Sequence, residues 1–491
     1  MVTGGARGWV TLSVVGSAEG WLGVARRRIV GRMPRQRLAL AVLLAASFTL
    51  AVDFSILNVA LPVIGADVGL GLSHLQWIAT SFALCAAGFT LLFGRIADLF
   101  GRRRLFLLGM ALLGVSSLMG GVADSPALLL AARAGQGLAT AAVIPAALSL
   151  LTTTFAEGPL RERALGLNGA LMAAGFTTGA VLGGLLTDVL SWRWAFFVNV
   201  VVAIVVLALA PLVIAESRPD ARPRLDITGS ALVTLALLAT VYGIVEAPSA
   251  LVAAAVLVVA FLAVEARVVQ PLVPPGILRR RTVAWGNFAG VLAFATETGL
   301  VFALTLYLQD VLDYSALATG AAFAVLGAGT VLGGMLGPRV IARVGARRAL
   351  AGGLVVQALA TLPLVALGDD GAWIVPLLVA MFAGGVANLV AIVGFTVLAT
   401  SGLPDHEQGL ATGLTSLSQQ VGITLGIPVV SAVATSRADL LDGLALAIAV
   451  IGAVCVAAAL VVLQATQGRV DHGVGERVGE RAVVEPALGE R

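Results

Sequence analysis

The chain has 491 residues, 59% hydrophobic and 12% charged, with a formal net charge of +4. Soluble globular chains carry roughly 25% charged residues, so a single water-soluble core is excluded and a bilayer is the expected solvent. A basic balance in a soluble protein would suggest a nucleic-acid partner. Here the arginines fall in short loops between apolar runs, where they report topology and give no such partner.

Residues 1–32 read as a basic tail, and Met33, just ahead of the first long apolar run, is a natural alternative start. The runs then predict about fourteen transmembrane helices, each near the ~20 residues that cross the hydrocarbon. They lie at 38–62, 76–95, 104–122, 127–152, 162–187, 193–215, 227–246, 249–266, 283–308, 316–337, 348–367, 372–400, 408–434 and 441–464. The seventh and eighth are short and meet at Pro248.

Alternate loops carry Arg102 to Arg104, Arg161 and Arg163, Arg218, Arg222 and Arg224, Arg279 to Arg281, and Arg343, Arg347 and Arg348. The intervening loops carry Asp67, Asp124, Asp188, Asp310, Asp313, Asp369 and Asp370. Positive charge marks the cytoplasmic side, so both termini are expected in the cytoplasm and the protein in the inner membrane. The loop Asp405-His406-Glu407 lacks Arg and fits this pattern least well.

Gly94 to Arg104 returns as a degenerate copy, Gly337 to Arg348. The copy follows the tenth span, whereas a plain six-plus-six repeat would place it after the eighth. The predicted fold is therefore an all-α polytopic membrane protein with two pseudo-symmetric six-helix bundles, at 37–217 and 283–465. An inserted helix pair and linker occupy 218–282, and tails occupy 1–36 and 466–491. Duplicated bundles of this kind alternate access to a midplane site.

Gly94-x-x-x-Asp98-x-x-Gly101-Arg102-Arg103 resembles the signature loop of the major facilitator superfamily. Asp98 can pair with Arg102 or cap a helix, and the arginines serve either as a cytoplasmic gate or as plain topology anchors. Arg133-Ala134-Gly135-Gln136-Gly137 in the fourth span resembles the superfamily's Arg-x-x-Gln-Gly motif, which the resemblance ties to proton transfer. Gly175, Gly179 and Gly183, with Gly184, resemble its antiporter motif, with Ala180 where the family has Pro. Their four-residue spacing also suits close helix packing.

The run Asp53-Phe54-Ser55-Ile56-Leu57-Asn58 through Pro62 resembles the first helix of the fourteen-helix drug:proton antiporters, as do Trp192 to Asn199 and Tyr307-Leu308-Gln309. For Trp192 and Trp194 interfacial anchoring is the simpler role.

Asp53 is either the coupling acid or a structural partner of Arg133. Glu297, midway along the ninth span, is either a second proton site or an ion partner for a cationic drug. Asn58, Gln136, Asn388, Gln419 and Gln420 line the cavity or hydrogen-bond between helices.

The resemblance implies a monomeric exporter of amphipathic drug-like molecules in exchange for protons, within membrane lipid. A symporter, a metabolite or lipid exporter and a membrane receptor or enzyme are the rivals. Cys85 and Cys455 both lie within spans and only three histidines occur, so neither a metal site nor a cofactor is expected. No Gly-x-x-x-x-Gly-Lys-Ser/Thr nucleotide loop occurs in the sequence.

Overall fold

A computed structural model describes residues 35–71, 74–155, 159–217, 226–268, 271, 275–278, 280–401 and 405–465. Both tails, the loop arginines Arg218, Arg222, Arg224 and Arg279, and the side chains of Arg95, Asp98, Asp405, His406 and Glu407 lie outside the described residues.

The described residues are helical, with no strand among them. The first seven helices are α1 Arg35–Ile56, α2 Leu61–Val68, α3 Gln76–Phe100, α4 Arg102–Gly121, α5 Pro126–Thr154, α6 Pro159–Val189 and α7 Arg193–Val213. A pair follows, α8 Ile227–Val245 and α9 Ala250–Glu265. The last six are α10 Arg281–Leu306, α11 Ala316–Val344, α12 Ala346–Thr361, α13 Ile374–Thr400, α14 Asp405–Ala434 and α15 Leu440–Ala465. Among the described residues, 11 helices are long and apolar enough to cross a membrane, while the α8 and α9 segments are apolar but shorter. At about 1.5 Å per residue, the 16 residues of α9 fall short of a full hydrocarbon thickness.

The first span is not one helix to Pro62. It stops at Ile56, turns through Leu57 to Ala60 and restarts as α2, with Pro62 in the first turn. Proline has no amide N–H and is favoured at a helix start. The carbonyl that the turn exposes at Val59 accepts from Gln309 Nε2 at 2.6 Å, which gives the Tyr307-Leu308-Gln309 run a structural task. Tyr307 Oη donates to the Gly368 carbonyl at 2.8 Å beside it.

α1 packs on α6 and α7, and α5 on α3 and α4; later in the chain α10 packs on α14, and α13 on α11 and α12. The two groups meet along α6 with α11 and along α3 with α14. α8 lies beside that second seam: Leu237 and Val241 pack on Leu84 and Ala87, with Val421 and Leu425 of α14 against them. Thr234 Oγ1 donates to the Gly88 carbonyl of α3 at 2.8 Å.

Core distribution is asymmetric along the helices. Near the loops that carry the aspartates, one apolar cluster joins both groups, from Ile56, Ile78 and Phe196 to Phe302, Phe323 and Ile427. Near the arginine-bearing ends the groups keep separate clusters, one around Phe106, Leu150 and Val213 and the other around Leu350, Phe395 and Val462. The seam is also tied at the aspartate end, where the Leu317 N–H donates to Asp188 Oδ2 at 3.0 Å.

Candidate functional site

An ionised group inside a bilayer is expensive unless it is paired or wet. Asp53 on α1 and Arg133 on α5 solve this together. Both side chains are 1% exposed, with Arg133 Nη1 at 3.3 Å from Asp53 Oδ2. Gln136, one turn beyond Arg133, donates Nε2 to Asp53 Oδ1 at 2.9 Å, and Asn199 of α7 donates to the same oxygen.

The guanidinium is held from its other sides. Arg133 Nη1 donates to Gln136 Oε1 at 2.7 Å and Nε to the Ile78 carbonyl at 3.0 Å. Its central carbon sits 4.4 Å from the Phe82 ring centroid, a cation–π distance. Gln136 Nε2 also approaches Ser117 Oγ of α4 at 2.9 Å. The carboxylate and its partners thus tie together five helices, α1, α3, α4, α5 and α7, and neutralising the carboxylate releases the guanidinium as well.

At the arginine-bearing end, Gly101 closes α3 and opens α4 with φ 109, a conformation that disfavours side chains. A Cβ there would also meet the Glu216 carboxyl carbon at 2.8 Å. Glu216, just past α7, accepts the Arg103 N–H at 3.0 Å and lies 3.8 Å from Arg104 Nε. Arg102 donates its N–H to the Ser217 carbonyl at 3.2 Å, and Arg103 Nη1 donates to the Ile214 carbonyl at 3.0 Å. The loop is therefore fastened to the end of α7, with a carboxylate at the positive end of α4. Gly94 is not a tight approach, since a Cβ there would sit 3.7 Å from Pro145. Replacing Glu216 with Ala is expected to cost about 0.5–2 kcal/mol, the usual loss on removing a helix N-terminal cap, which thermal unfolding of the variant beside the parent checks.

The glycine face of α6 packs mainly on α1. Added Cβ atoms at Gly175, Gly179 and Gly183 would run into Ala51, Ser55 and Ile56 respectively, while Gly184 abuts Ala316 of α11. Ser55 Oγ donates to the Phe176 carbonyl at 2.7 Å. That carbonyl is four residues before Ala180, the one a proline at position 180 would leave without its helical donor.

Two cavities lie near the seam. The first, lined by Ser55, Asn58, Thr177 and Thr330 with Phe176 and Phe323, sits between α1, α6, α10 and α11. The second lies among α10 to α13 and holds Glu297, Gln357, Thr361 and Asn388. Val301 and Leu326 wall both. Asn388 lines the second cavity and Asn58 the first, whereas Gln136 is sealed in the Asp53 network. Gln419 and Gln420 are half-buried on α14 and line neither.

The Major Facilitator Superfamily model matches residues 43–427. The chain belongs to the major facilitator superfamily. Members are transporters, not enzymes. The chain is 38% identical over 418 residues to puromycin resistance protein pur8 of Streptomyces alboniger, covering 82% of this chain and 83% of that protein. It is 39% identical over 418 residues to cephamycin export protein CmcT of Amycolatopsis lactamdurans, covering 81% and 85%. The crystal structure of the human organic anion transporter MFSD10 matches with a TM-score of 0.60 at 16% identity, covering 88% of this chain and all of that one. That of the nucleoside transporter NupG matches with a TM-score of 0.64 at 12% identity, again over 88% of this chain. These two show the fold.

Three residues of this superfamily member escaped the sequence reading as site residues. Asn199 and Ser117 touch the Asp53 network from α7 and α4; Asn199 closes the family-like run that begins at Trp192, whereas nothing in the local sequence marks Ser117. Glu216 is 113 residues from the Arg103 N–H it receives; its signal was an acid at the end of a span otherwise followed by arginines. Trp192, expected as an interfacial anchor, is 3% exposed. It donates Nε1 to Asp67 at 3.0 Å, and Arg193 donates to the same oxygen at 2.6 Å. The Arg193 hydrogen bond, then that of Trp192, holds the Asp67 carboxyl below its ordinary range.

Proposed function

We propose that this chain exports amphipathic, drug-like small molecules across the cytoplasmic membrane in exchange for protons. What carries the export reading is its likeness, over four fifths of its length, to proteins named for puromycin resistance and cephamycin export. Asp53 supports the coupling: it is a buried carboxylate whose charge is balanced by a buried guanidinium, so proton gain and loss at one atom would rearrange contacts on five helices. Arg133 sets the cost of that step, and Glu297 is a second acid available to it.

The architecture proposed is two six-helix bundles at 37–217 and 283–465, with 218–282 as the inserted pair and linker, about fourteen crossings in all. Both termini are then cytoplasmic, with tails at 1–36 and 466–491, and a monomer suffices. On that orientation the shared apolar core lies outside and the separate cores inside, as expected for a bundle pair open to the cytoplasm. Gly94, Asp98, Gly101, Arg102 and Arg103 serve the cytoplasmic gate. Gly175, Gly179, Gly183 and Gly184 keep the first and fifth spans and the facing bundle in register. The cavity with Asn58 forms part of the substrate path; Asn388 lines its neighbour, and Gln419 and Gln420 supply polar groups on α14.

The test is proton release in inverted membrane vesicles. Addition of an exported antibiotic should collapse a preformed pH gradient in vesicles that contain the protein and leave control vesicles unchanged. A compound panel that is exported with no gradient response would remove antiport and keep export.

A further inference from the structure

The pair α8 and α9 lines neither cavity, yet α8 touches both helix groups. Near its middle, Thr234 Oγ1 donates to the Gly88 carbonyl of α3 at 2.8 Å, and a Cβ on Gly88 would meet Thr234 Cγ2 at 2.8 Å. Leu237 and Val241 share a cluster with Leu84 and Ala87 of α3 and with Val421 and Leu425 of α14. All of these contacts lie at about mid-height in their helices. Towards its two ends, α8 leaves one group and keeps the other.

At the aspartate end it is fastened to the first group, that of α1 and α3. Glu246, just past the last turn of α8, accepts Trp77 Nε1 at 3.3 Å, and His74 Nε2 lies 3.8 Å from the same oxygen. At the arginine-bearing end it is fastened to the second group. Leu232 and Val233 of α8, with Phe261 of α9, pack with Val283 of α10 and with Ala411, Leu414 and Leu417 of α14. The α3 residues at that end, Phe93, Ile96 and Ala97, pack with Leu105 and Ala142 of their own group instead. The 19 residues of α8, about 28 Å of helix, therefore cross the α3–α14 seam on a diagonal.

A diagonal attachment has a mechanical consequence. When two groups rock about mid-height, their aspartate ends part as their arginine ends close, so any link between like ends must stretch or break. The aspartate end of one group and the arginine end of the other move in the same direction. The span between those two points keeps its length to first order in the rocking angle. A rigid helix fastened there follows the motion by tilting, and the Thr234 hydrogen bond sits near the axis, where displacement is least.

We propose that α8 is a diagonal brace that stays fastened to both groups while they rock and keeps the α3–α14 seam covered from lipid in both arrangements, an inference that rests on the two-bundle architecture above. Its clasp at the aspartate end is the Glu246 carboxylate on Trp77 and His74; its clasp at the other end is the apolar cluster of Leu232 and Val233 with α14. A helix that rode with one group alone would have to slide over the other at every cycle and could not keep both clasps.

The test is amide hydrogen exchange on the full chain in lipid nanodiscs, in a background that carries Cys85→Ala and Cys455→Ala. Exchange is read at the aspartate end, in α2 and in Tyr307–Val311. Cysteine pairs are joined in the folded protein by short bis-methanethiosulfonate linkers, and peptide mapping confirms each link. Asp188→Cys with Leu317→Cys locks the α6–α11 seam, where the Leu317 N–H meets Asp188 at 3.0 Å. Trp77→Cys with Glu246→Cys fixes one clasp of the brace, and Val233→Cys with Leu417→Cys fixes the other. The seam lock is expected to slow exchange on the order of tenfold, whereas both clasp links together should leave it within about twofold of the unlinked chain. If the double link slows exchange as the seam lock does, α8 follows one group only and the brace is overturned while the rocking architecture stands. If the seam lock changes nothing, the groups do not rock about that seam, and the architecture falls together with the brace. Should the second clasp pair not yield folded protein, Leu232→Cys with Leu414→Cys in the same cluster takes its place.

Discussion

In proteoliposomes under an imposed pH gradient, Asp53→Asn is expected to abolish uphill accumulation of substrate and to leave downhill exchange measurable. Asn nearly preserves the volume of the side chain but cannot carry the charge. In the parent, Asp53 Oδ1 receives Gln136 and Asn199, and Oδ2 faces Arg133. A proton arriving at this carboxylate would therefore uncouple a guanidinium that also bonds α3 through the Ile78 carbonyl. Substrate can drive such a change only by preferring one of the two arrangements. The mutant holds one arrangement permanently and loses the linkage.

The same substitution leaves Arg133 buried without its anion. Breaking a buried pair from one side costs about 3–5 kcal/mol, whereas replacing both partners with apolar groups can be close to neutral. Thermal stability should therefore fall in Asp53→Asn and recover when Arg133→Met is added. Coupling should not recover. If Asp53→Asn still concentrates substrate like the parent, the coupling acid lies elsewhere and Glu297 is the next candidate.

How much of this was legible depended on whether the signal was local. Helix positions followed from apolar length, and α8 and α9 appeared at the short seventh and eighth runs. The break after Ile56 did not, because a proline in a long apolar run reads equally well as a kink or an end; what settles it is Gln309, 250 residues away, on the Val59 carbonyl. Asp53 and Arg133 stood out as charges in hydrocarbon. Their remaining partners, Gln136 aside, are single polar residues on other helices, and one sequence carries no pairing information for them. The glycine face of α6 was visible as a four-residue period. That its partner is chiefly α1 required the fold.

That partnership leads to the other large effect. Gly183→Ala is expected to reduce the yield of folded protein sharply and to lower its thermal stability by about 1–3 kcal/mol, the range for overpacking a well-filled contact. In most transmembrane helices Gly→Ala is mild or favourable, because alanine costs less backbone entropy. At Gly183 the added carbon would press on the main chain of Ile56, whose carbonyl carbon would lie 2.9 Å away and Cα 3.2 Å. No rotamer change relieves a clash with backbone, so α6 must move off α1. The shift would drag Gly184 away from Ala316 of α11 and slacken the seam at the aspartate end. Gly169, nearer the other end of the same helix, has nothing within 4 Å of an added Cβ and is the matched control. Gly169→Ala should leave stability unchanged or slightly raised, with efflux retained. Equal behaviour of the two alanine variants in thermal unfolding would mean that the α1–α6 contact does not limit stability. A deficit confined to Gly183→Ala would place the constraint at Ile56.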